Sequence, residues 1–254
     1  MTVTLLITTF SRPEALNLVL ESLLCQSRAP DEVVVCDDGS SIETTVLIRQ
    51  WEALLPIRYA WQSDRGFRAA RSRNLGVCKS SASYLVWIDG DCLLPPQFLE
   101  NHLRLARSGY LVAGGRHLLS DSETQDLLDG TLPLESVFSH WKFRSLSMGV
   151  LRDFHSRAWE TVRTCNLGLY RDDLEAIGGF DEAYKGWGRE DSDFVVRLIH
   201  QGVKVRSGRF AASVAHLHHS ERTRDKLSEN DARFTICLKD SAHRYAKTSI
   251  FTES

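Results

Sequence analysis

The motif Asp89-Gly90-Asp91 follows the apolar run 84–88, which is too hydrophobic for a strand that faces solvent. Carboxylates at the end of a buried strand need a partner, because an unpaired buried charge is costly. A divalent cation that also holds phosphate oxygens is one such partner. Gly90 would let the backbone turn so that Asp89 and Asp91 face one point. Taken alone, an aspartate-rich type I turn is the simpler explanation of this motif.

A second acidic group, Glu190, Asp191 and Asp193, opens a predicted helix. The apolar face of that helix consists of Phe194, Val195, Leu198 and Ile199. A helix N-terminus stabilises negative charge by up to about 1 kcal/mol, so Asp191 is expected to stay ionised and able to take a proton from a hydroxyl group. Acids are common in the first turn of any helix, and that explanation would be preferred for this group by itself.

Three histidines, His216, His218 and His219, lie in four positions after an apolar, strand-like run. Alternate residues of a strand share a face, so His216 and His218 are predicted to point the same way. A solitary histidine is by default a core or surface residue. Three of them in a chain with a D-x-D motif favour a role as metal ligands.

Strands and helices alternate along the first half of the chain. Strands are predicted over 2–10, 32–36, 57–61, 84–88 and 110–113, and helices behind Ser11–Glu14 and over 42–54, 67–77 and 96–107. The first helix is preceded by a capping-box pattern at Ser11 and Glu14. This alternation predicts an α/β fold with one mostly parallel central sheet flanked by helices. Ligands bind at the carboxyl ends of the strands in such sheets, and the acidic pairs at 37–38 and 89–91 fall there.

The second half of the chain is less regular. The stretch 116–162 shows no clear period and is expected to be irregular, which in a compact domain usually marks a functional or mobile segment. A strand is predicted over 164–170, a helix over 190–201 and a polar helix over 228–246.

Composition excludes several classes of protein. The chain has 254 residues, of which 43% are hydrophobic and 25% charged, which is enough for a folded core and excludes a disordered chain. Its 31 basic and 33 acidic residues give a net charge of -2 and no general attraction to nucleic acid. No apolar run approaches the roughly 20 residues of a membrane span. The six scattered cysteines contain no CxxC pair, so we expect free thiols and a cytoplasmic location.

Six segments occur in the order in which they appear in nucleotide-sugar glycosyltransferases of family 2, which this chain resembles over residues 3–220. The segments are MTVTLLITTFSRP, VVVCDDGSS, SDRGFRAARSRNLG, YLVWIDGDCLLPP, GGFDEAYKGWGREDSDFVVRLIHQG and VAHLHHS. The later ones resemble the galactosyltransferase-type segment of chondroitin polymerases and β-1,4-galactosyltransferases. The resemblance implies a GT-A fold, a UDP-sugar donor and Mn²⁺ or Mg²⁺. Within one domain over 1–220, it implies a nucleotide-sugar half (1–115) and an acceptor and catalytic half (116–220). The polar composition of residues 221–254 predicts a helical tail after that domain.

The resemblance implies roles for the donor side of the site. Asp89 and Asp91, with Gly90 between them, match the D-x-D motif that holds the metal bridging the donor phosphates. A histidine of the later segment completes that metal site in related enzymes. His216 fits best by its context, His218 is next, and His219 matches the position used in some galactosyltransferases, so the choice stays open.

Further donor positions match as well. Thr8, Asp64 and either Asp37 or Asp38 match positions that line the uridine pocket, where a carboxylate accepts the uracil N3–H. Which of the two adjacent aspartates does so stays open, and the other is expected to cap the following turn. Arg71 matches a basic position near the diphosphate.

On the acceptor side, residues 187–191 resemble the WGGED motif. The resemblance makes Asp191 the catalytic base, gives Trp187 the task of shaping the sugar pocket, and places Gly188 and Glu190 beside the acceptor. Arg189 replaces the second glycine of the motif. A bulky cation at that position gives the hypothesis of an acidic or phosphorylated acceptor.

These features imply a metal-dependent, inverting transfer of a hexose from a UDP-sugar to a glycan hydroxyl, as in bacterial lipopolysaccharide or capsule synthesis. Residues 116–162 and 183–189 are expected to close over the donor. A sugar nucleotidyltransferase is one alternative, but it would need a glycine- and lysine/arginine-rich loop where this chain has residues 9–12. A non-catalytic nucleotide- or carbohydrate-binding module is another, and it would not need an acid at Asp191.

The acceptor is expected to be a carbohydrate or a glycolipid, held in the second case at the inner membrane leaflet. Basic residues of the tail would then lie near anionic headgroups, and they are Arg222, Arg224, Lys226, Arg233, Lys239, Arg244 and Lys247. Acidic residues are interspersed among them, so a solvated helix explains the tail equally well.

Overall fold

The computed structural model describes residues 1–139, 159–220 and 223–251. Its strands are β1 (Val3–Thr9), β2 (Glu32–Asp37), β3 (Ile57–Trp61), β4 (Tyr84–Asp89), β5 (Cys92–Leu93), β6 (Tyr110–Leu118), β7 (Asn166–Tyr170) and β8 (Lys204–His216). Its helices are α1 (Pro13–Leu24), α2 (Ile42–Trp51), α3 (Ala69–Cys78), α4 (Phe98–Leu105), α5 (Asp121–Leu128), α6 (Leu134–Ser139), α7 (Arg171–Glu175), α8 (Glu190–His200) and α9 (Leu227–Lys239). A short 3₁₀ turn lies at Trp159–Thr161.

The eight strands form one sheet in the order β3-β2-β1-β4-β7-β6-β8-β5. The first four strands are mutually parallel, β7 runs antiparallel to β4 and β6, and β8 is parallel to β6 and antiparallel to β5. The register places Thr8 beside Asp89 and Thr9 beside Asp37. The carboxyl ends of β1, β2 and β4 therefore lie side by side, and the predicted α/β class is confirmed.

Helices cover both faces of the sheet because alternate strand residues point to opposite sides. Leu5 and Ile7 pack in the core that α1, α2 and α4 cover, whereas Leu6 and Trp87 pack in the core that α3 and α8 cover. Each fully buried side chain of this size contributes about 2 kcal/mol.

An aromatic group holds the start of α8 against the sheet. The Phe194 ring stacks on Phe180 with a centroid distance of 4.0 Å, and both rings meet Trp87 edge-on at 6.2 and 5.9 Å. Phe194 lies one helical turn after Glu190, so this packing fixes the part of α8 that carries Glu190 and Asp191.

The capping box predicted at Ser11 and Glu14 is wrong. Helix α1 begins at Pro13 with Arg12 at the N-cap position, and no side chain caps it. The backbone N–H of Ser11 donates to Ser40 Oγ at 2.8 Å, so Ser11 belongs to the loop between β1 and α1. Pro13 starts the helix because its fixed φ suits the first turn and it has no N–H to satisfy.

The stretch 116–162 is more regular than predicted. Strand β6 continues to Leu118, and helices α5 and α6 follow it. Ser120 and Glu123 form a complete capping box at the start of α5, and the S-x-x-E spacing that produces it is visible in the sequence. Residues 140–158 of this stretch lie outside the described residues, and so does that part of the segment predicted to close over the donor.

The C-terminal segment packs against the rest of the chain. Helix α9 ends at Lys239 rather than near residue 246, and Phe234 and Cys237 of this helix are buried beside Tyr184. Beyond it, the backbone N–H of Ala246 donates to Ile177 O at 2.9 Å and that of Glu182 to Thr248 O at 2.7 Å. These contacts were not predicted for a polar tail. No described helix is long and apolar enough to cross a membrane.

Candidate active site

The D-x-D motif lies at the carboxyl end of β4, against β1. The backbone N–H of Gly90 donates to Thr8 O at 2.7 Å. A Cβ atom on Gly90 would lie 3.0 Å from the side chain of Thr9, and the φ of Gly90 is not in the left-handed region. A side chain at this position would therefore be crowded against β1, whereas the backbone angles of Gly90 do not themselves call for glycine.

Asp91 is surrounded by basic groups. Its carboxylate accepts from Arg12 Nη1 at 2.8 Å and lies 3.4 Å from His216 Nε2 and 3.6 Å from His219 Nε2. Its side chain is 13% exposed. The structure thus brings two of the three candidate histidines to the D-x-D motif.

His218 is directed elsewhere. Its Nδ1 lies 3.1 Å from Asp121 Oδ1 at the start of α5, and its backbone N–H donates to Thr124 Oγ1. Strand β8 ends at His216, so the alternation expected to align His216 with His218 does not extend that far. The inference that these two histidines share a face is wrong for this reason.

The residues around Asp91 fit a divalent metal ion. Ligand atoms of Asp91, Cys92 and His216 lie within 4.8 Å of one another, and the second imidazole comes from His219. Carboxylate oxygen and imidazole nitrogen are suitable donors for Mn²⁺. On the neighbouring strand, Thr8 Oγ1 is buried without a hydrogen-bond partner, so a polar atom beside the motif is left for a ligand.

Arg73 connects the D-x-D motif to helix α8. Its guanidinium donates from Nη1 to Glu190 Oε1 at 3.2 Å, and its Nη2 lies 3.7 Å from Asp89 Oδ1. The charge of Asp191 acts on both Arg73 and Asp89. Asp89 and Glu190, which are far apart in the sequence, therefore share one cation.

Burial and mutual repulsion raise the pKa values of two carboxyl groups in this cluster. Burial and the charge of Asp191 raise the pKa of Glu190 to about 7, against the opposing effect of Arg73. Burial also raises the pKa of Asp89, and Arg73 opposes that shift while Asp91 adds to it. Glu190 Oε2 is buried and has no hydrogen-bond partner, so this atom is available to a ligand.

The two adjacent aspartates after β2 have different partners. Asp37 Oδ1 accepts from the backbone of Gly39 and Ser40 and from Ser40 Oγ, and its Oδ2 accepts from the Tyr59 hydroxyl at 2.5 Å. These bonds make Asp37 the residue that caps the turn.

Asp38 connects the turn to the region before α3. It accepts from Gln62 Nε2 at 2.6 Å and from the backbone N–H of Arg68 at 2.7 Å. The same amide group of Gln62 provides an oxygen for Arg71 Nη1 at 3.4 Å, and Arg71 Nε lies 3.6 Å from Glu182 Oε2. Asp38 and Arg71 therefore belong to one hydrogen-bonded group.

Asp64 lies on an exposed loop above Gly39. Its Oδ1 accepts from the backbone N–H of Gly66 at 2.9 Å. A Cβ atom on Gly39 would lie 2.5 Å from Asp64 Cα, and the φ of Gly39 is +102°. Both observations require glycine at position 39, because only glycine permits this approach of the two loops.

The loop before α8 has backbone angles that glycine favours. Gly186 and Gly188 have φ values of +72° and +102°. Trp187 between them is 38% exposed, and the guanidinium of Arg224 lies 4.7 Å from the centre of its ring. One face of the indole is thus in contact with the segment that precedes α9.

Arg189 occupies the left-handed region with φ of +76° at the N-cap of α8. Its Nε donates to Asp231 Oδ1 at 2.5 Å, and its guanidinium lies 5.4 Å from the centre of the Phe234 ring. Both partners are in α9. The hypothesis that this cation selects an acidic acceptor is therefore not supported, because α9 engages the charge.

Two basic residues of the site were not identified from the sequence. Arg73 shares the buried face of α3 with Ala70 and Val77, at helical spacing, and a charge on an apolar face indicates a buried partner. The family motif points to Arg71 instead, which lies on the more exposed side of α3. Arg12 gave no comparable signal, because its importance depends on the pairing of β1 with β4.

Comparisons with known proteins agree with this architecture. The family model described as glycosyl transferase family 2 matches residues 4–174, and the model described as N-terminal domain of galactosyltransferase matches residues 149–220. A validoxylamine A glucosyltransferase of Streptomyces hygroscopicus subsp. limoneus is 31% identical over 240 residues, which is 86% of this chain and 52% of the relative. A hyaluronan synthase of Pasteurella multocida is 27% identical and covers 78% of this chain and 23% of the relative.

Solved structures show the same fold. S. aureus TarS aligns with a TM-score of 0.68 and 15% identity, over 96% of this chain and 41% of that one. The mannosyltransferase PcManGT from Pyrobaculum calidifontis, in complex with GDP-Man and Mn²⁺, aligns with a TM-score of 0.63 and 20% identity, over 98% of this chain and 66% of that one. The predicted GT-A fold is thereby confirmed. This chain spans about half or less of the length of the two relatives described above.

Proposed function

This chain belongs to glycosyl transferase family 2, and from that premise we propose that it is a metal-dependent, inverting hexosyltransferase with a UDP-sugar donor. The observation that carries the proposal is the convergence at Arg73, where Asp89 of the D-x-D motif and Glu190 of α8 share one cation. Such a transfer needs a sheet edge that binds the donor nucleotide and, next to it, an acidic residue that can act on the acceptor.

The donor side is proposed to use the strand ends. Thr8, Asp38 and Asp64 would contact the uridine, and Arg71 would approach the diphosphate. Asp37 is not included, since its carboxylate is used by the turn and by Tyr59. TarS has been solved in complex with UDP and with UDP-GlcNAc, which supports a uridine nucleotide as the first choice.

Asp91, His216 and His219, with Asp89 beside them, would hold a divalent cation. Such a cation neutralises charge on a departing diphosphate. Mn²⁺ is the first candidate, because the imidazole nitrogens favour it over Mg²⁺.

Asp191 is proposed to take the proton from the acceptor hydroxyl. As the proton passes to this carboxylate, the acceptor oxygen attacks the anomeric carbon from the face opposite the leaving group. The new glycosidic C–O bond forms while the bond to the UDP phosphate oxygen breaks, which inverts the anomeric centre. Glu190 Oε2, Gly188 and the free face of Trp187 would contact the acceptor.

The acceptor is proposed to be a carbohydrate or glycolipid of a bacterial surface polysaccharide. Chondroitin synthase of Escherichia coli and an O-antigen biosynthesis protein of Myxococcus xanthus are 27% and 25% identical to this chain. Their names support polysaccharide assembly as the class of process. A peripheral contact with the membrane would follow if the acceptor is lipid-linked.

The decisive experiment is the substitution Asp191→Asn. We expect UDP release in the presence of donor and acceptor sugars to fall at least about 100-fold, while Mn²⁺-dependent UDP binding stays within about twofold. Asp172→Asn, which removes an exposed carboxylate from α7, is the matched control and should keep transfer. Loss of UDP binding in Asp191→Asn, or transfer that persists, would contradict the assignment.

A further inference from the structure

We propose that Arg73 is a positioning residue that couples the donor side of the site to the acceptor side by dividing its charge between Asp89 and Glu190. The inference rests on the proposed function, since it takes Asp89 as part of the metal-binding motif and Glu190 as an acceptor contact. It goes further by assigning a joint role to a residue that the motifs leave unexplained.

The geometry supports a shared cation. Arg73 comes from α3, Asp89 from β4 and Glu190 from α8, so one guanidinium joins three elements. The side chains of Arg73 and Glu190 are 5% and 11% exposed, and the separations are 3.2 Å to Glu190 and 3.7 Å to Asp89. The Phe180 ring, 5.5 Å from the guanidinium carbon, lies beside it.

A cation placed between two carboxylates divides its attraction between them, and the division depends on both. If Glu190 loses its charge, the attraction of Arg73 falls more fully on Asp89, where Arg73 then competes with a divalent cation. If a divalent cation engages Asp89, the attraction of Arg73 falls more fully on Glu190. The attraction between Arg73 and Glu190 is weakly screened because both side chains are buried, whereas the Asp89 side chain is 34% exposed and water partly screens its attraction to Arg73.

A purely structural Arg73 would behave differently. It would stabilise the fold by pairing with two acids, and its loss would lower the melting temperature without linking the two sides. Arg197 provides that comparison, since it is fully buried on α8, pairs with Asp193 at 2.7 Å and donates to the backbone carbonyls of Ile177 and Gly179.

The test is a double-mutant cycle on the full chain. The Kd of Mn²⁺ in the presence of UDP is measured by electron paramagnetic resonance for wild type, Glu190→Gln, Arg73→Gln and the double variant. We expect Glu190→Gln to weaken Mn²⁺ binding about three- to tenfold in the wild-type background and less than about twofold in the Arg73→Gln background. Equal effects in both backgrounds would overturn the proposal.

Two further variants keep the test interpretable. If Arg73→Gln does not fold, Arg73→Lys replaces it. A single ammonium group cannot bridge both acids as the guanidinium does. The weakening of Mn²⁺ binding by Glu190→Gln should therefore be at most half as large in the Arg73→Lys background as in wild type. In the Arg197→Lys background, the effect of Glu190→Gln should equal that in wild type, and a reduced effect there would also overturn the proposal. If wild type binds Mn²⁺ no better than Asp89→Asn/Asp91→Asn, the proposed function itself fails, separately from this inference.

Discussion

At the scale of the residue, the central feature of the site is the set of basic side chains around the Asp91 carboxylate. Two imidazoles and one guanidinium surround its carboxylate, and the three basic residues come from two loops and a strand end. These neighbours are not equivalent, because an imidazole nitrogen can coordinate a metal ion and a guanidinium cannot.

The histidines provide a prediction at the scale of the residue. His216→Ala should weaken Mn²⁺ binding in the presence of UDP at least about tenfold, because it removes an imidazole 3.4 Å from Asp91. His218→Ala should change that affinity less than about twofold, since His218 pairs with Asp121. Mn²⁺ titration by electron paramagnetic resonance measures both variants. A larger loss in His218→Ala than in His216→Ala would contradict the assignment.

Sequence reasoning identified the residue types of the site but not all of their partners. The D-x-D motif and the acids of α8 were found because strand ends and helix starts have recognisable local signals. The different tasks of Asp37 and Asp38 could not be separated, because Tyr59, Gln62 and the backbone of Arg68, which decide them, come from the next strand and loop.

At the scale of the element, Glu32 ties the start of β2 to its neighbours. Its carboxylate accepts from Thr4 of β1 and from Ser81, and it lies 3.2 Å from Arg58 of β3. Burial would raise its pKa, but the bonds from Ser81 and Thr4 and the charge of Arg58 outweigh burial and lower the pKa to about 2.

This depressed pKa makes the stability of the fold depend on pH. The stabilisation is complete above the ordinary glutamate pKa of 4.5 and is lost as the pH falls towards about 2. Glu32→Gln should therefore lower the free energy of unfolding by about 2 kcal/mol at pH 7 and by less at pH 3. Urea unfolding at both pH values measures the difference. Glu52→Gln is the control: it removes an exposed ion pair with Arg49 and should lower the free energy of unfolding by less than about 1 kcal/mol. If Glu32→Gln lowers the free energy of unfolding equally at both pH values, the explanation is wrong.

Arg189 offers a prediction about the start of α8. A left-handed non-glycine residue costs about 1–2 kcal/mol, and contacts with Asp231 and Phe234 offset that cost. Arg189→Ala keeps the strained φ and loses the contacts, so it should destabilise the chain by about 1–2 kcal/mol. Arg189→Gly also loses the contacts but removes the strain, so it should be about 1 kcal/mol more stable than Arg189→Ala. Chemical unfolding measures the free energies of unfolding of the two variants. If the alanine variant is as stable as the glycine variant, the backbone at position 189 is not strained.

Element boundaries illustrate where local patterns succeed. Ser11-Glu14 and Ser120-Glu123 share the same S-x-x-E spacing, yet only the second forms a capping box. The first fails because Ser40, a residue distant in sequence, binds the backbone of Ser11. Short motifs predict a helix start correctly only where no such tertiary contact competes.

At the scale of the whole molecule, the segment after α9 packs against residues 177–182. Ala246 is 5% exposed and adjacent Tyr245 is 60% exposed. Ala246→Asp should lower the free energy of unfolding by more than about 2 kcal/mol, because it buries a charge without a partner. Tyr245→Asp is the matched control and should stay within about 0.5 kcal/mol of wild type. Similar melting temperatures for the two variants would show that this segment is not docked in solution.

The architecture of the first half was predictable because parallel strands and their helices have regular apolar periods. The second half was less so. Strand β7 enters the sheet between β4 and β6 and runs antiparallel to both, an order that no local period encodes. The docking of residues 240–251 was likewise not predictable, because it combines backbone hydrogen bonds, bonds to the carboxylates of Asp181 and Glu182, and the packing of Phe251.

The packing of Phe251 has a practical consequence for anyone who shortens this chain at residue 220, where the family resemblance ends. That cut would remove the ring that contacts Gly179 and the Ser249 hydroxyl that Asn74 contacts. Asn74 follows Arg73 on α3, so we expect the cut to make the position of Arg73, and of the carboxylates that it contacts, less well defined. Loss of activity in such a fragment would be expected from the lost packing alone, so it would not show that residues 221–254 act in the reaction.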